Sequence, residues 1–430
     1  MAYILINEKR GTMRVTIQSL LWFVSFLALG LLIIVQPLLA QSEQPTIVYW
    51  VDWRLDGKGL AVSTNNGVWL YDDTLQNPQQ VSEGITGVVS WSPDANRIAV
   101  DTTIWNVQSL QPLVTLQSQT SLFRMNKHWS QDGSQIATLR YDQLGIQIFD
   151  TLTGEILSEL SGSVEGQWII SVDWSPDETR FAVSRADRSI AIFDVATGGI
   201  TAVYPQQEIV DAIAWSPDST LFAGIIAEFV SNDTPGSIPT AGQNILVSIY
   251  VWDAATGEVV QTISGLGEYA NMLRWNPNGN ELANGAPNGL VEIWDVNTGQ
   301  QITSLLSSGI LNGMDYSPYG TRLAFANNPA ALEYSAESRA AEVVVDYAMQ
   351  SLAGGALDIV VPDPSVERLQ AIQAACMTAP AVATMDVQTL TLDALPEYVA
   401  QVEALTDAEI PPGCAADLVA IAEALIAEGQ

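Results

Sequence analysis

The chain has 430 residues, of which 48 are acidic and 16 are lysine or arginine, and its formal net charge is −32. A chain this acidic repels nucleic acid and anionic membrane surfaces, and no basic patch offsets the charge, so nucleic-acid binding is excluded. Two interpretations of the charge stay open: it serves solubility, also in saline surroundings, or it attracts cations or a cationic partner. The length allows one large domain with additional segments.

Residues 1–41 have the pattern of a targeting segment. Basic residues up to Arg14 precede an apolar run from about Leu20 to Val35, and a plausible cleavage site precedes Gln41. The alternative is an uncleaved anchor, because about 20 apolar residues can span a bilayer. In either case we expect the rest of the chain to lie outside the cytoplasm, either secreted or anchored by this segment. We expect contact with a membrane only through this segment, if it is not cleaved.

From about Thr46 a single pattern recurs, and it is clearest in Ser171–Gly198. An apolar strand ends at Trp174, a Ser-Pro-Asp turn and two more strands follow, and Asp194 then begins a second turn that ends in glycine. Proline presets the φ of the first turn, aspartate bonds its own backbone, and glycine takes a left-handed position. The aromatic residue before the first turn recurs at Trp53, Trp91, Trp129, Trp174, Trp215, Trp275 and Tyr316.

Seven units of four short strands, about 40 residues apart, are typical of a β-propeller. The repeats resemble the WD-repeat family over roughly residues 46–345, because the Trp-Ser-Pro-Asp and Trp-Asp-x-x-Thr-Gly turns recur in phase. The resemblance implies a seven-bladed toroid around a central channel. Its top face carries the loops between second and third strands and those between blades. The predicted fold class is therefore all-β, a seven-bladed β-propeller with a small C-terminal α-helical segment.

The chain also departs from the family pattern. The family's Gly-His dipeptide is absent, the single histidine is His128, and the aspartate before the third strand survives plausibly only at Asp187. The family's His–Asp network therefore cannot form, and hydrophobic packing must contribute more of the stability. The seventh unit is degenerate, and its last two strands are expected near 331–334 and 342–345.

After about Asp346 the strand alternation stops, and alanine, leucine and acidic residues dominate. Amphipathic helices are predicted over residues 362–376, 395–405 and 414–428. The two cysteines of the chain, Cys376 and Cys414, both lie in this segment, and an exported protein favours a disulfide between them. The predicted domains are a signal peptide or anchor at 1–41, the propeller at 42–345 and an acidic helical segment at 346–430.

No catalytic set is evident in the sequence. With one histidine and both cysteines bridged, Cys–His catalysis lacks its parts, and the spacings typical of zinc, phosphate or calcium sites are absent. The acids at regular positions, such as Asp177 and Asp194, are interpreted as turn residues. We therefore predict a non-enzymatic protein without a cofactor or a metal.

One column of residues suggests a binding surface. Six residues before each turn aromatic, three repeats carry an aromatic side chain where the others carry isoleucine, and the resemblance puts this column at the top rim of the channel. Core packing and an aromatic contact surface both explain it. The fifth repeat adds about 18 residues around 229–244, whose composition predicts a loop over the top face. The candidate binding residues are Phe123, Trp168, Tyr269, Asp187 and Asp233.

Three functions remain open at this stage. The first is a non-enzymatic extracytoplasmic scaffold that binds a protein or peptide through the top face, an interpretation that depends partly on the family resemblance. The second is a carbohydrate-directed binding module or a glycoside hydrolase that uses acids and aromatic residues at the channel mouth. In the third, the helical segment docks on the propeller or on another protein, and the whole is structural.

Overall fold

The computed structural model describes residues 46–360 with gaps at 73–77, 85–86, 118–127, 141, 162–167, 231–243, 308, 329–348 and 353–356, and then residues 369, 373, 394–405, 410 and 412–428. The predicted targeting segment lies outside the described residues. Neither helix in the described part of the chain has the length and hydropathy needed to cross a bilayer.

The described part of the repeat region is a β-propeller built from four-stranded antiparallel sheets, and in six of them the strand order follows the chain. The first three sheets contain β1 (Val48–Trp53), β2 (Gly59–Thr64), β3 (Gly67–Asp72), β4 (Gln79–Glu83); β5 (Val89–Trp91), β6 (Arg97–Val100), β7 (Thr103–Asn106), β8 (Gln111–Thr115); and β9 (His128–Trp129), β10 (Gln135–Leu139), β11 (Gly145–Asp150), β12 (Ile156–Ser161). The next three contain β13 (Ile169–Trp174), β14 (Arg180–Arg185), β15 (Ser189–Asp194), β16 (Ile200–Pro205); β17 (Val210–Trp215), β18 (Leu221–Val230), β19 (Asn244–Asp253), β20 (Val259–Ser264); and β21 (Met272–Trp275), β22 (Glu281–Gly285), β23 (Leu290–Asp295), β24 (Gln301–Leu306).

A seventh four-stranded sheet has a different strand order, β25-β26-β28-β27. Its strands are β25 (Ile310–Tyr316), β26 (Leu323–Asn328), β27 (Met349–Leu352) and β28 (Leu357–Val360). The propeller therefore extends past residue 345, where the sequence analysis ended it, because a hairpin after that point supplies the two outer strands. The strands predicted near 331–334 and 342–345 lie outside the described residues.

The first strands of neighbouring sheets are joined by a recurring hydrogen bond. An aspartate just before the turn aromatic accepts from the backbone N–H of the next sheet's turn tryptophan, at 2.6 to 2.9 Å: Asp52 from Trp91, Asp173 from Trp215 and Asp315 from Trp53. The last of these bonds joins the seventh sheet to the first. A buried cluster shared by Val51, Trp53, Ala324 and Ala326 fills the same joint, so the ring closes by packing of β25 and β26 against β1 and β2.

A second recurring contact also crosses the joints between sheets. An arginine six residues after the turn aromatic lies over the turn tryptophan of the next sheet, with its guanidinium carbon 4.4 to 5.1 Å from the ring centroid: Arg97 over Trp129, Arg180 over Trp215 and Arg322 over Trp53. A cation held over a tryptophan face is worth about 0.5–2 kcal/mol, depending on desolvation. The joints between sheets are thus stabilised by arginine–tryptophan cation–π contacts as well as by hydrogen bonds.

The second turn of the repeat requires glycine for its conformation and for the space around it. Gly257 has a φ of +71°, and a Cβ at this position would lie 2.2 Å from ring carbons of Tyr204 in the neighbouring sheet. We expect Gly257→Ala to lower the free energy of unfolding by about 2–3 kcal/mol in urea titrations, since left-handed strain alone costs about 1–2 kcal/mol.

The control for this change is Gly265→Ala. Gly265 has a φ of +91° and no atom within 4 Å of the added Cβ, so this variant carries the backbone strain without the clash. Equal losses for the two variants would show that Tyr204 makes room freely, and would contradict the steric part of the explanation.

Two helices follow the propeller in the described residues, α1 (Leu395–Leu405) and α2 (Pro412–Glu428). They pack through a cluster that includes Tyr398 and Leu418, and Cys414 is fully buried at the start of α2. Of the helix predicted at 362–376, only residues 369 and 373 are described. Cys376 lies outside the described residues, so the bridge between Cys376 and Cys414 stays a prediction.

Candidate binding face

Trp168 lies at the top rim of the fourth sheet, directly before β13. Its backbone carbonyl accepts a hydrogen bond of 2.9 Å from the N–H of Ala186, in the turn between β14 and β15. Its side chain is 60% exposed. Core packing therefore does not explain why a tryptophan stands at this position. Trp168 is a surface residue of the top face.

Tyr269 lies at the equivalent rim of the sixth sheet and is 40% exposed. Burial of the phenol, together with the neighbouring carboxylate of Asp211, raises the pKa of Tyr269 to about 12. The neutral phenol donates a hydrogen bond to Asp211, whose own pKa is raised by burial. This bond holds the ring in place between the fifth and sixth sheets, with one part of the ring in solvent. Phe123, the third aromatic residue of the column, lies outside the described residues.

A hairpin of the fifth sheet projects above the top rim. Strands β18 and β19 pair over ten residues each, and Val210 at the start of β17 pairs with Ile226. The four residue pairs of β18 and β19 beyond Ile226 therefore extend past the end of β17, the first strand of this sheet. Ile245 and Leu246, on this projecting part, are each 45% exposed.

This hairpin corrects part of the sequence analysis. The insertion at 229–244 was predicted to be a loop throughout, but residues 229, 230 and 244 belong to strands. Cross-strand pairing extends into the insertion because apolar residues favourable to strands flank it on both sides. Asp233 lies within residues 231–243, which are outside the described part, so its role stays a prediction.

Asp187 lies on the top face in the turn between β14 and β15. Its carboxylate accepts hydrogen bonds from the N–H and the hydroxyl of Ser189, and it lies 3.5 Å from the guanidinium of Arg185. These contacts are made within the turn itself. The carboxylate thus stabilises the turn that presents Trp168, and a direct contact of Asp187 with a partner stays a prediction.

Carboxylates lie at the top of the fifth and sixth sheets, near the exposed ring of Tyr269. They come from the top ends of the strands and the segments next to them: Asp211, Glu228, Glu268 and Glu292. Glu292 accepts a hydrogen bond of 3.1 Å from the N–H of Gly267, and burial, with Glu268 nearby, raises its pKa. Glu292 itself is buried, so the negative charge beside the Tyr269 ring comes from the exposed Glu268 and the partly exposed Asp211.

A second set of ionisable residues lies at the axis, where the innermost strands converge. Burial raises the pKa of Asp173 to about 7 and that of Asp315 to about 6, and the nearby Arg274 acts against both shifts. The guanidinium of Arg274 also lies over Trp50, 5.5 Å from its ring centroid. This set was not predicted from the sequence, although the recurrence of aspartate just before the turn aromatic could have indicated it.

The axial residues lack the arrangement of a metal centre. In the described ranges there is no group of three or more histidine, cysteine, aspartate or glutamate side chains that could hold a metal ion. Asp173 and Asp315 each accept a backbone N–H of the next sheet, so their positions serve the joints of the ring.

A family model described as "Anaphase-promoting complex subunit 4 WD40 domain" matches residues 110–218. The chain carries WD40-type repeats. Among curated proteins, it is 24% identical over 212 residues to eukaryotic translation initiation factor 3 subunit I of Culex quinquefasciatus, covering 45% of this chain and 61% of that protein. It is 23% identical over 293 residues to WD repeat-containing protein slp1 of Schizosaccharomyces pombe, covering 64% and 53%. The chain thus spans about half to three fifths of the length of these relatives.

Solved structures agree on the fold. A chain of the Mitotic Checkpoint Complex superposes with a TM-score of 0.52 at 20% identity, over 65% of this WD40-type chain and 84% of the other. A chain of Kuenenia stuttgartiensis hydrazine synthase superposes with a TM-score of 0.56 at 17% identity, over 67% and 95%. At these identities the likeness is one of fold, and function has to be argued from the top face itself.

Proposed function

We propose that this protein is a non-enzymatic, extracytoplasmic scaffold that binds a protein or peptide through the top face of the fourth to sixth blades of a seven-bladed ring. The observation that carries the proposal is the exposed ring of Trp168 at the top rim. Large aromatic side chains on a rigid rim are the residues that most often dominate protein–protein binding energy. Location outside the cytoplasm is supported by the targeting pattern of residues 1–41.

The top face offers three kinds of contact in one region. Trp168 and Tyr269 present rings from a sheet scaffold, and the hairpin of β18 and β19 adds exposed Ile245 and Leu246. Asp211 and Glu228 add negative charge beside them. A partner that combines apolar and basic side chains fits this surface, because opposite charges speed the encounter and apolar contacts slow the release.

The comparisons are compatible with this role. One relative is a subunit of a translation initiation factor and one solved neighbour is a chain of a checkpoint complex, so both are parts of protein assemblies. The partners of those proteins are not transferred to this chain. The glycoside-directed alternative has less support, because the two carboxylates with the most strongly raised pKa values are bonded into the joints of the ring.

Trp168→Ala tests the proposal. We expect this variant to recover the partner at least 30-fold less efficiently than the wild type, since a hot-spot aromatic contributes about 2 kcal/mol or more. The measurement is quantitative mass spectrometry of proteins captured from envelope or secreted material, followed by titration calorimetry with the captured protein.

Leu152→Ala is the matched control. Leu152 is 76% exposed, in the turn between β11 and β12 on the opposite face. Leu152→Ala should leave capture of the partner and affinity for it unchanged. Both variants should keep the unfolding midpoint of the wild type. Equal capture by the Trp168 variant would refute binding through the top face, and turnover of a chromogenic glycoside by the wild type would favour the hydrolase.

A further inference from the structure

The first turn of the repeat is braced by a carboxylate from within the turn. In four repeats the turn serine donates its hydroxyl to the aspartate two residues later, at 2.5 to 2.7 Å: Ser92 to Asp94, Ser130 to Asp132, Ser175 to Asp177 and Ser216 to Asp218. The same serine oxygen accepts the backbone N–H five residues further along. These two bonds hold the ends of the first two strands together.

The seventh repeat lacks that aspartate. Ser317 begins its turn, and Tyr319 occupies the position of the acid. The Ser317 hydroxyl instead donates a hydrogen bond of 3.0 Å to Asp417 in helix α2, and it still accepts from the N–H of Arg322 at 3.0 Å. A residue 100 positions later in the chain therefore supplies the missing carboxylate.

The same carboxylate holds the arginine at the joint that closes the ring. Asp417 accepts a hydrogen bond of 3.0 Å from Nε of Arg322, and both side chains are almost completely buried. The Arg322 guanidinium lies 4.4 Å above the ring of Trp53 in the first sheet. Loss of Asp417 would leave a buried cation without this partner, which is far more costly than loss of an exposed ion pair.

Tyr319 shows that the turn is adapted to the helices. Its side chain packs against the buried cluster formed by α1 and α2, a contact that an aspartate at this position would not make. The residue at the position of the turn aspartate thus provides an apolar contact for the helices, one of which supplies the carboxylate.

We propose that the seventh repeat is incomplete by itself, and that its first turn is a docking site which the C-terminal helices complete by inserting Asp417. Closure of the ring then depends on the helices. This dependence is separate from binding at the top face, because the turn lies at the opposite end of the strands.

Asp417→Asn in the full-length protein tests the proposal by hydrogen exchange. We expect amide exchange in β1, β2, β25 and β26 to rise at least tenfold, while β14 and β17 keep the wild-type rate. The matched control is Asp177→Asn, which removes an acid from a turn far from the closing joint and should leave the exchange of β1 and β25 unchanged.

A rescue variant separates a missing carboxylate from a general loss of stability. Adding Tyr319→Asp to Asp417→Asn restores an acid within the turn. In the fourth repeat, Asp177 at the same turn position accepts a hydrogen bond from Ser175 and forms an ion pair with Arg180. The restored acid is expected to make the same two contacts, with Ser317 and Arg322. We expect exchange at the joint to return at least halfway to the wild-type rate. Unchanged exchange in Asp417→Asn would overturn the proposal, and so would a double variant that exchanges as fast as the single one or that fails to fold.

Discussion

Replacing Phe222 with alanine is expected to lower the free energy of unfolding by about 4 kcal/mol, the typical cost of truncating a buried aromatic side chain. Phe222 is fully buried, and its ring centroid lies 5.2 Å from that of Trp252 and 5.6 Å from that of Trp215. The loss of stability has two parts. One is the free energy of transferring the ring from water into the core, and the other is the cost of the cavity that the rigid neighbours cannot fill. Urea titration followed by tryptophan fluorescence and circular dichroism measures it.

Two further variants serve as comparisons for Phe222→Ala. Phe222→Leu keeps most of the volume and should cost less than half as much, whereas Leu152→Ala, at an exposed turn, should stay within about 0.5 kcal/mol of the wild type. A cost below about 1.5 kcal/mol for Phe222→Ala would mean that the cluster collapses into the vacated space. That outcome would contradict a tightly packed joint between the fourth and fifth sheets.

Hydrogen bonding of the turn tryptophans is incomplete around the ring, although Trp215, beside Phe222, donates its indole N–H to the carbonyl of Asp173 at 3.1 Å. The buried indole nitrogens of Trp53, Trp91 and Trp174 have no hydrogen-bond partner within the described residues. Their rings are held instead by neighbours, such as Phe181 at 5.0 Å from Trp174. The sequence-based expectation that hydrophobic packing contributes more of the stability, in the absence of the family's His–Asp network, stays a prediction that the Phe222 variants test.

The second large effect is a dependence of stability on pH that Asp173→Asn should reduce. Burial raises the pKa of Asp173 from 3.8 to about 7, with Arg274 acting in the opposite direction. Because the native pKa is the higher one, this group's contribution is fully present below pH 3.8 and is lost as the pH rises through 7. For these two values the loss between pH 5 and pH 8 is about 2.5 kcal/mol, at 1.36 kcal/mol per pKa unit.

Asparagine at position 173 keeps an oxygen that can accept the N–H of Trp215 and removes the titration. We expect the variant to be more stable than the wild type at pH 8, and to lose about 2.5 kcal/mol less between pH 5 and pH 8 in denaturant titrations. Asp315 titrates in the same range, but it is present in both proteins. Parallel stability curves for the two proteins would show that Asp173 is already ionised in the native state.

Asp132→Asn is the control for this experiment. Hydrogen bonds from Ser130 and Ser134 lower the pKa of the exposed Asp132 to about 2. Its native pKa is below the unfolded value, so its contribution is lost only as the pH falls towards 2. Between pH 5 and pH 8 this variant should keep the wild-type slope.

The repeat could be predicted from the sequence alone, because its turns are made by local chemistry. A Ser-Pro-Asp turn and an Asp-x-x-Thr-Gly turn need only their own backbone and side chains, so their recurrence predicted the β-propeller fold and the positions of most strands. The aromatic column at the rim was also visible in the sequence. Whether Trp168 faced the core or solvent was not, since both environments accept tryptophan.

The closure of the ring and the contacts at its joints depend on residues far apart in the chain, and they were not predictable from the sequence. Asp417 braces a turn 100 residues earlier, and Arg322 lies over a tryptophan near the other end of the repeat region. The outer strands of the seventh sheet come from residues 349–360, in reversed order. Such contacts depend on which surfaces meet in space, and no local pattern of turns or alternation encodes that meeting.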